Sequence, residues 1–473
     1  MSKHYLVWFG RNNSYFNHRF SELEGLARLF GCDPSTLFVG SKPGALSPDP
    51  YAIVALPNER VAEQICSRAV IAKFIVELWG QGSSDSSVME GVRTTLPQCD
   101  WDQLFLNKSF SYKVLAYGVQ ISEEKRRDRM YSFASLFTGT ERVDLRNPDY
   151  TLYIIDEHEM SFGQTGTRDE SISAPRKRTF YGRLVSDSNN GHRQPYALPD
   201  RPVLGPTSLD NDLAFLMANV AEIDSGKFVL DPFCGTGGLL ISATACGEVP
   251  QMGTDIDVRV LEGECVAYIK NKVSEDMTKD IFENFTHYKL PIPEVFASDN
   301  SNHCWRTNRP IFDVILTDPP YGVRAGAKKI GQKSQHEVGN RDSYHPQMLG
   351  YLPNEVNSDL LSLSSSLLVD NGTLVFLQHI ELIDLFTPEE LRKIPRSEKN
   401  DGGETKLLTQ KNSRKEYVYA NECAREHQFL DEQLIIERVV PHHPDLVIEN
   451  VALQILAAGT GRILVKMRRV ARR

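Results

Sequence analysis

The sequence lacks the cysteine patterns that accompany structural zinc or a disulfide framework. Its 8 cysteines are scattered along the chain, and no two of them form a Cys-x-x-Cys pair. We therefore expect no metal site and no disulfide framework, and the simplest setting is an intracellular, cytoplasmic protein with reduced thiols. Cys234 lies within a glycine-rich stretch, where we expect it to be a small buried side chain and not a nucleophile.

Long apolar runs are missing as well. No stretch approaches the length that a bilayer-spanning helix needs. The one apolar run near the start of the chain, Tyr5 to Phe9, is shorter than the apolar core of a signal peptide. We therefore expect neither a membrane anchor nor secretion. The content of 41% hydrophobic and 24% charged residues is ordinary for globular protein.

Positive charge is not in excess. The 53 lysines and arginines face 62 aspartates and glutamates, and the net charge is -9, which argues against a protein that coats nucleic acid unselectively. Local basic patches could still contact phosphates, although a solvated charged surface is the simpler interpretation of each. The candidates lie on one predicted helix and in the tail: Lys125, Arg126, Arg127 and Arg129, and Arg462, Lys466, Arg468, Arg469, Arg472 and Arg473.

Two phosphate-binding fingerprints are also absent. The glycine-rich stretch from Asp231 to Gly238 lacks the G-x-G-x-x-G spacing of dinucleotide sites and the Gly-Lys-Ser/Thr end of a P-loop. It does follow a short apolar run, typical of a buried parallel strand, and it precedes a predicted helix from Leu239 to Cys246. Glycines at such a turn permit positive φ and let a ligand approach the backbone. The stretch therefore predicts a ligand site at the carboxyl end of a strand.

A second strand ends in the motif Asp318-Pro319-Pro320-Tyr321. An amino group conjugated to a ring is a poor nucleophile, and two acceptors that hold its hydrogens would favour its reactive, pyramidal form. The Asp318 carboxylate and the Pro319 carbonyl can be those acceptors, because the two prolines restrict where they point. Tyr321 can stack on a target base. These four residues are the candidate catalytic group.

Together and in this order, the two motifs resemble S-adenosylmethionine-dependent methyltransferases that modify an amino or amide nitrogen. The resemblance implies a Rossmann-like α/β domain and cofactor contacts from the glycine turn. Two acids at the ends of the next strands would complete the cofactor site, with Asp255 on the ribose hydroxyls and Asp299 on the adenine amine. Asp257 is expected to cap the following helix. The candidate cofactor-binding residues are Asp231, Phe233, Gly235, Thr236, Gly237, Asp255 and Asp299.

The first part of the chain alternates strand and helix signals. We expect an α+β domain over residues 1–95 and an RNA-binding domain over 96–186, with a polar linker at 158–178. The run from Val143 to Tyr150, ahead of an apolar strand, resembles a THUMP domain, an RNA-binding module of tRNA-modifying enzymes. The methyltransferase domain would occupy residues 187–473 and bind cofactor without residues 1–180.

The resemblance narrows near residue 205. Gly205-Pro206-Thr207-Ser208-Leu209-Asp210, then Leu-Met-Ala-Asn at 216–219, then the glycine turn, resemble the tRNA guanine-N2 methyltransferases. Those enzymes act on guanine 10 of tRNA, and the eukaryotic ones work with a small zinc-ribbon activator protein. The resemblance implies S-adenosylmethionine as cofactor, with tRNA and that activator as partners. Two alternatives stay open, an adenine-N6 methyltransferase and an inactive RNA-binding scaffold.

Further expectations concern the second half of the chain. The strand Glu294 to Asp299 should lie at a sheet edge, open to a partner. The loop 325–349 could close over the base or meet phosphate, with Arg324, Lys328 and Lys329 as candidate contacts. An exposed insertion is expected at 396–415, and His379 is expected to be structural. Residues 433–440 and 462–468 are predicted to form the closing antiparallel pair of the sheet.

Overall fold

The structure is a computed structural model. It describes residues 2–10, 14–40, 42, 47, 49–159, 174–188, 190–205, 208–263, 280–320, 328–330, 348–386, 432–456 and 460–471. Several residues considered above lie outside the described ones: Tyr321, Arg324, Arg472, Arg473, the insertion 396–415 and most of the loop 325–349. Two compact units emerge, one from residues 1–11, 30–42 and 49–189 and the other from 12–29, 43–48 and 190–473.

The first unit is built on one seven-stranded sheet of order β2-β1-β3-β7-β6-β4-β5. Its strands are β1 (Lys3–Phe9), β2 (Tyr51–Leu56), β3 (Ala72–Gly82), β4 (Ser109–Tyr117), β5 (Arg142–Val143), β6 (Tyr150–His158) and β7 (Arg176–Asp187). β3 pairs with β7 in antiparallel fashion. One sheet therefore runs through the residues expected to form two domains, and the end of the expected linker belongs to β7.

The helices of the first unit are α2 (Glu59–Arg68), α3 (Asp85–Thr95), α4 (Gln98–Phe105) and α5 (Glu123–Ser132). Ser122 caps α5 as expected, because its side chain accepts a hydrogen bond from the backbone N–H of Lys125. Sequence periodicity did not reveal α3 and α4, although Ser84 caps α3 in a capping box.

The second unit contains a seven-stranded sheet of order β10-β9-β8-β11-β14-β16-β15. Its strands are β8 (Val229–Asp231), β9 (Gln251–Asp255), β10 (Glu294–Ala297), β11 (Phe312–Thr317), β14 (Leu368–Glu381), β15 (Leu446–Ile455) and β16 (Thr460–Arg469). The first five strands in this order, β10, β9, β8, β11 and β14, are parallel to their neighbours. β16 runs antiparallel to both β14 and β15. The α/β fold class is confirmed, with β10 at an edge as expected.

Seven helices and a small hairpin accompany this sheet in the described residues. The helices are α1 (Arg19–Leu29), α6 (Asn211–Val220), α7 (Gly238–Cys246), α8 (Val258–Leu261), α9 (Ile281–Tyr288), α10 (Pro353–Leu367) and α11 (Glu432–Val439). The hairpin pairs β12 (Lys328–Ile330) with β13 (Met348–Gly350). None of the helices in the described ranges has the length and apolar character to cross a membrane.

The prediction of a strand at 433–440 is wrong, because these residues form α11. Ile435 and Val439 stand four residues apart and pack on the core from one face of a helix. The partner of β16 is β15 instead, and the predicted strand 462–468 lies within β16.

Helix α1 belongs to the second unit, although it was expected in the N-terminal domain. Its Glu22 carboxylate accepts a hydrogen bond from Nδ2 of Asn219 over 2.9 Å. Arg28 donates to Glu449 over 2.8 Å. A Cβ at Gly25 would lie 2.6 Å from the carbonyl oxygen of Asn219, so α1 and α6 pack with their backbones in close approach. The fold of this unit therefore depends on a segment far from it in sequence.

Candidate active site at the carboxyl ends of the strands

The turn after β8 has the backbone that its glycines predict. Gly235 and Gly237 adopt φ values of +50° and +80°, in the left-handed region that favours glycine. A Cβ at Gly237 would lie 3.0 Å from the ring of Phe285, so the turn packs tightly on α9. A side chain at either position would strain the turn from which α7 begins.

Asp231 ends β8 and is buried, with 2% of its surface exposed. Its Oδ1 accepts hydrogen bonds from the Thr317 hydroxyl at 2.7 Å and from the Phe233 N–H at 3.1 Å. Burial, together with a smaller effect of the neighbouring carboxylates of Asp255 and Asp318, raises the pKa of Asp231 to about 7, although its two hydrogen bonds oppose the rise. The side chain thus ties the turn to β11 and adds to a group of acids.

Asp255 ends β9 and braces the glycine turn. One carboxylate oxygen accepts from the N–H of Gly235 and the other from the N–H of Asp257, both over 2.9 Å. Burial raises the pKa of Asp255 despite these hydrogen bonds. Asp257 accepts from the N–H of Arg259 at the start of α8, as predicted for a cap. Asp255 therefore lies beside the turn where a ribose contact was expected.

Asp299, expected to accept from an adenine amine, is buried and already has protein partners. Its Oδ1 accepts from the N–H and the hydroxyl of Ser301, at 2.8 and 2.7 Å. Its Oδ2 accepts from the N–H of Ile330 in β12 over 2.6 Å. An adenine amine would have to share or displace the last of these contacts, which the sequence did not reveal.

Asp318 lies one residue beyond the end of β11. The side chain is half-buried, and its Oδ1 is closed to solvent with no hydrogen-bond partner among the described residues. Burial raises the pKa of Asp318 to about 7, and the positive charge of Arg462 opposes that rise. Pro319 and Pro320 follow, the former buried and the latter half-buried. Asp318 thus presents an acceptor with unused capacity close to Asp231, the residue that precedes the glycine turn.

The acids at the ends of β8, β9 and β11 suit a cationic ligand. The pKa values of Asp231, Asp255 and Asp318 are all raised, chiefly because each carboxyl group is buried. A positively charged ligand would restore the ionised forms and be held by them. No group of three or more histidine, cysteine, aspartate or glutamate side chains in the described ranges is arranged to hold a metal ion.

Cys234 has the structural role that was expected. Its side chain is 4% exposed, and a Cβ at Gly253 would lie 2.9 Å from its Sγ. Burial raises the pKa of the thiol above its usual range, which makes a nucleophilic thiolate unfavourable. Cys234 therefore packs against Gly253 of β9 and belongs to a buried cluster with apolar side chains of α7 and α9.

The basic residues proposed for RNA contacts differ in their availability. Lys125 and Arg127 are exposed on α5, and Lys328 is exposed on β12. Arg126 pairs with Glu123 on the same helix. Lys329 donates to Glu355 over 2.9 Å. These contacts leave the three exposed side chains as the better candidates for phosphate.

Arg129 and two described cations of the basic tail have structural partners instead. Arg129 forms ion pairs with Asp156 and Asp85, each over 2.7 Å. Lys466, 5% exposed, pairs with Glu222, and Arg469, 1% exposed, pairs with Asp370. These cations are directed to carboxylates within their own units, so we do not assign them to phosphate binding.

Two polar residues that the sequence did not single out support the site. Thr317 is fully buried and links β11 to Asp231, as described above. The fully buried Asn284 donates to the carbonyl oxygens of Val203 and Thr236, at 2.9 and 3.0 Å, and accepts from the N–H of Val203 over 2.9 Å. A buried amide that satisfies three backbone groups fixes the turn in place.

Comparison with known families matches both halves of the chain. Residues 3–190 match the model described as the Tmrp11 THUMP N-terminal domain, and residues 199–345 match the model described as the RMKL-like methyltransferase domain. The resemblance to THUMP-containing methyltransferases that the motifs indicated is therefore confirmed. The second match includes the glycine turn, the acids at the strand ends and Asp318.

Curated relatives extend over most of the chain. The tRNA (guanine(10)-N(2))-methyltransferase TRMT11 of Mus musculus is 30% identical over 346 residues, which cover 72% of this chain and 72% of the relative. The protein of the same name from Dictyostelium discoideum is 30% identical over 394 residues, 79% of this chain and 73% of the relative. The Homo sapiens protein is 28% identical over 394 residues, 81% of this chain and 80% of the relative.

Proposed function

Because the chain belongs to the family of tRNA (guanine(10)-N(2))-methyltransferases, we propose that it transfers a methyl group from S-adenosylmethionine to the N2 amine of guanosine 10 in tRNA. The single observation that carries this proposal is the acceptor capacity of Asp318. Its Oδ1 is buried and unpartnered among the described residues, one position after the Thr317 that contacts the cofactor strand.

The residues present fit S-adenosylmethionine. The glycine turn leaves backbone space for a ligand, and Asp255 beside it can accept from ribose hydroxyls. The acids at the ends of β8, β9 and β11 suit the sulfonium charge, because burial raises the pKa of each carboxyl group and a positive ligand would favour the ionised form. When bound, the cofactor supplies a methyl group attached to a positively charged sulfur.

Asp318 orients the nucleophile in this proposal. Its Oδ1 accepts one hydrogen of the guanine N2 amine, and the Pro319 carbonyl accepts the other, so the nitrogen lone pair points at the methyl carbon. The bound cofactor would supply the methyl group to this nitrogen, and its sulfur would keep the electron pair of the broken C–S bond. The amine then loses a proton to Asp318 or to water. Positioning supplies most of the reduction in barrier, and Tyr321 is proposed to stack on the base.

The THUMP-containing unit is proposed to dock the tRNA. Its exposed cations on α5, Lys125 and Arg127, are candidates for phosphate contacts. Lys328 on β12 is a further candidate in the catalytic unit. Replacing these cations with glutamine should raise the KM for tRNA and reduce its dependence on salt, while the affinity for cofactor stays unchanged.

The edge strand β10 is the proposed docking site for a small zinc-ribbon activator. Among the described strands it pairs with β9 alone, and Val295 and Phe296 are half-buried. Ile292, just before the strand, is 53% exposed. An edge without lysine, proline or glycine is poorly protected, and an added strand from a partner would satisfy its backbone groups. Binding there would stabilise the strand that precedes Asp299.

Tritiated cofactor and a tRNA transcript, with and without the co-expressed activator, test the proposal. We expect label in N2-methylguanosine at position 10 and none in a transcript with adenosine at that position. Asp318→Asn should abolish label while S-adenosylhomocysteine binding persists.

Label in N6-methyladenosine would identify the adenine enzyme instead. Cofactor binding without label in any tRNA, activator included, would favour the inactive scaffold. A chain that is monodisperse and fully active alone would refute the need for the activator.

A further inference from the structure

A buried arginine lies beside the cofactor turn without a counter-charge. Arg201 is 2% exposed, and its Nη2 donates to the carbonyl oxygen of Tyr196 over 3.3 Å. Its Nε and Nη1 are buried and make no hydrogen bond of normal geometry to a described residue, although the uncharged Tyr288 phenol lies beside the guanidinium. Burial lowers the pKa of this guanidinium, and the Tyr288 phenol is the neighbour that opposes the shift. A buried cation without an anion is costly, because desolvation is not offset by pairing.

The first turn of α7 has the same need for a negative partner. Its N-cap is Gly237, and no side chain caps the turn. The unpaired N–H groups of a helix N-terminus carry a partial positive charge. A Cβ at Gly238 would lie 3.2 Å from Nη1 of Arg201. The guanidinium therefore packs against the first turn of α7 at a position where the residue has no side chain. Two positive features therefore meet at one point of a nine-residue helix.

We propose that Arg201 and the first turn of α7 bind the α-carboxylate of the methionine portion of the cofactor. This inference rests on the proposed function, since it takes the glycine turn as the cofactor site. The charge pattern favours a zwitterionic ligand over an RNA phosphate. Asp255 and Asp318 lie within electrostatic range of Asp231, so these acids would suit the sulfonium, whereas Arg201 and the helix end would suit the carboxylate. An incoming phosphate would be repelled by the same acids.

Calorimetry with two ligands tests the inference without any methyl transfer. S-adenosylhomocysteine carries the carboxylate, and 5′-deoxy-5′-(3-aminopropylthio)adenosine is the same molecule without it. In the Arg201→Met chain we expect S-adenosylhomocysteine to bind about 30-fold more weakly, the loss typical of a hydrogen bond to a charged group. The ligand without the carboxylate should bind as in the wild type. Arg201→Lys should lose less, because it keeps the charge but not the forked donors.

Arg309→Met is the matched control, because it removes one exposed cation from the same unit. Both ligands should bind it normally. Equal weakening of both ligands in Arg201→Met would show a merely structural role and overturn the inference, as would unchanged S-adenosylhomocysteine affinity. Lower tRNA affinity with normal S-adenosylhomocysteine binding would assign Arg201 to phosphate instead.

Two further measurements apply if Arg201→Met does not fold. Gly238→Ala places a methyl group against Nη1 and is compatible with a helix, so it should weaken the carboxylate-bearing ligand selectively. In the wild type itself, equal affinities for the two ligands would refute a carboxylate site. If the wild type binds neither ligand, the proposed function fails and not this inference alone.

Discussion

Thr317 donates its hydroxyl hydrogen bond to Oδ1 of Asp231 over 2.7 Å, and neither side chain is open to solvent. One residue lies directly before Asp318 and the other opens the glycine turn. The contact thus joins β11, which precedes the proposed catalytic residue Asp318, to β8, which precedes the proposed cofactor turn. It also stabilises the ionised form of Asp231, whose pKa burial raises to about 7.

Thr317→Val should disturb both functions of this contact. The change conserves volume but leaves the buried Asp231 without its hydroxyl donor, so we expect the free energy of unfolding to fall by about 1–3 kcal/mol. Methyl transfer should slow as well, because the pKa of Asp231 rises further. Denaturant unfolding and single-turnover kinetics measure the two effects.

The matched control is Thr244→Val. Thr244 is 7% exposed, and its hydroxyl is buried without a partner among the described residues. Removing that hydroxyl should leave stability unchanged or raise it slightly. Equal effects of the two substitutions would show that the Thr317–Asp231 hydrogen bond contributes nothing.

The kcat/KM of methyl transfer, measured at subsaturating cofactor, should fall as the pH is lowered below about 7, because this quantity reports the ionisation of the free enzyme. Asp318 must be ionised to accept an amine hydrogen, and burial raises its pKa to about 7. Arg462 lowers the pKa of Asp318, so Arg462→Gln should move the acid limb of the kcat/KM profile upward by about one pH unit. Arg462→Lys should restore it, and Arg309→Gln should not move it. A limb unmoved in Arg462→Gln would contradict the assignment of Asp318 to this limb.

The affinity for S-adenosylmethionine should depend on pH more steeply than that for S-adenosylhomocysteine. Only the former carries a sulfonium charge, and the raised pKa values of Asp231 and Asp318, about 7 each, mean that both carboxyls are partly protonated near neutrality. Binding the cation should release protons, so lowering the pH from about 8 to 6 should weaken it selectively. Calorimetry in buffers of different ionisation enthalpy counts the protons. Parallel pH profiles for the two ligands would contradict a carboxylate pocket for the sulfonium.

The same carboxyls should lower stability at neutral pH. Their folded pKa of about 7 exceeds the unfolded value of 3.8, so the folded chain binds more protons between these limits. The contribution of each to the free energy of unfolding therefore falls as the pH rises from about 4 to 7. Asp318→Asn removes one titration, and its stability should decline less than that of the wild type over this window. If the stability of the variant declined more steeply than that of the wild type, the pKa of Asp318 would not be raised in the folded chain.

Gly25→Ala should destabilise the second unit, although α1 is far in sequence from the rest of that unit. The new Cβ would lie 2.6 Å from the Asn219 carbonyl oxygen in α6, and we expect a loss of about 1–3 kcal/mol. Gly350→Ala, where a Cβ meets nothing within 4 Å, is the control. Thermal unfolding should separate the two. Equal stabilities would show that α1 is not packed on α6.

Helix α1 also changes the expectation for truncated chains. Deleting residues 1–180 removes it, together with the Glu22–Asn219 and Arg28–Glu449 contacts, so we now expect that fragment to fold poorly. A chain with residues 14–29 joined by a flexible linker to residue 190 should fold and bind S-adenosylhomocysteine. Equal cofactor binding by both fragments would show that α1 is dispensable.

The sequence by itself determined the class of the fold and indicated which residues form the candidate site. The glycine spacing after β8 specified a left-handed turn, because Gly235 and Gly237 adopt positive φ without steric cost. Short β-branched runs specified the parallel strands, and Asp-Pro-Pro-Tyr placed an acceptor at the end of one of them. Each of these features is set by residues that are close together in the sequence, so the local sequence pattern is enough to predict it.

Tertiary structure alone decided which polar groups are paired and which are not. Thr317 donates a hydrogen bond to Asp231, 86 positions away in the sequence. Asp299 accepts one from Ile330, which lies on a hairpin that no sequence motif predicted. Arg201 and Arg469 look equally like surface cations in the sequence, yet both are buried, and only Arg469 has a carboxylate partner among the described residues. Burial and pairing depend on which distant elements pack together, and local propensity carries no information about that choice.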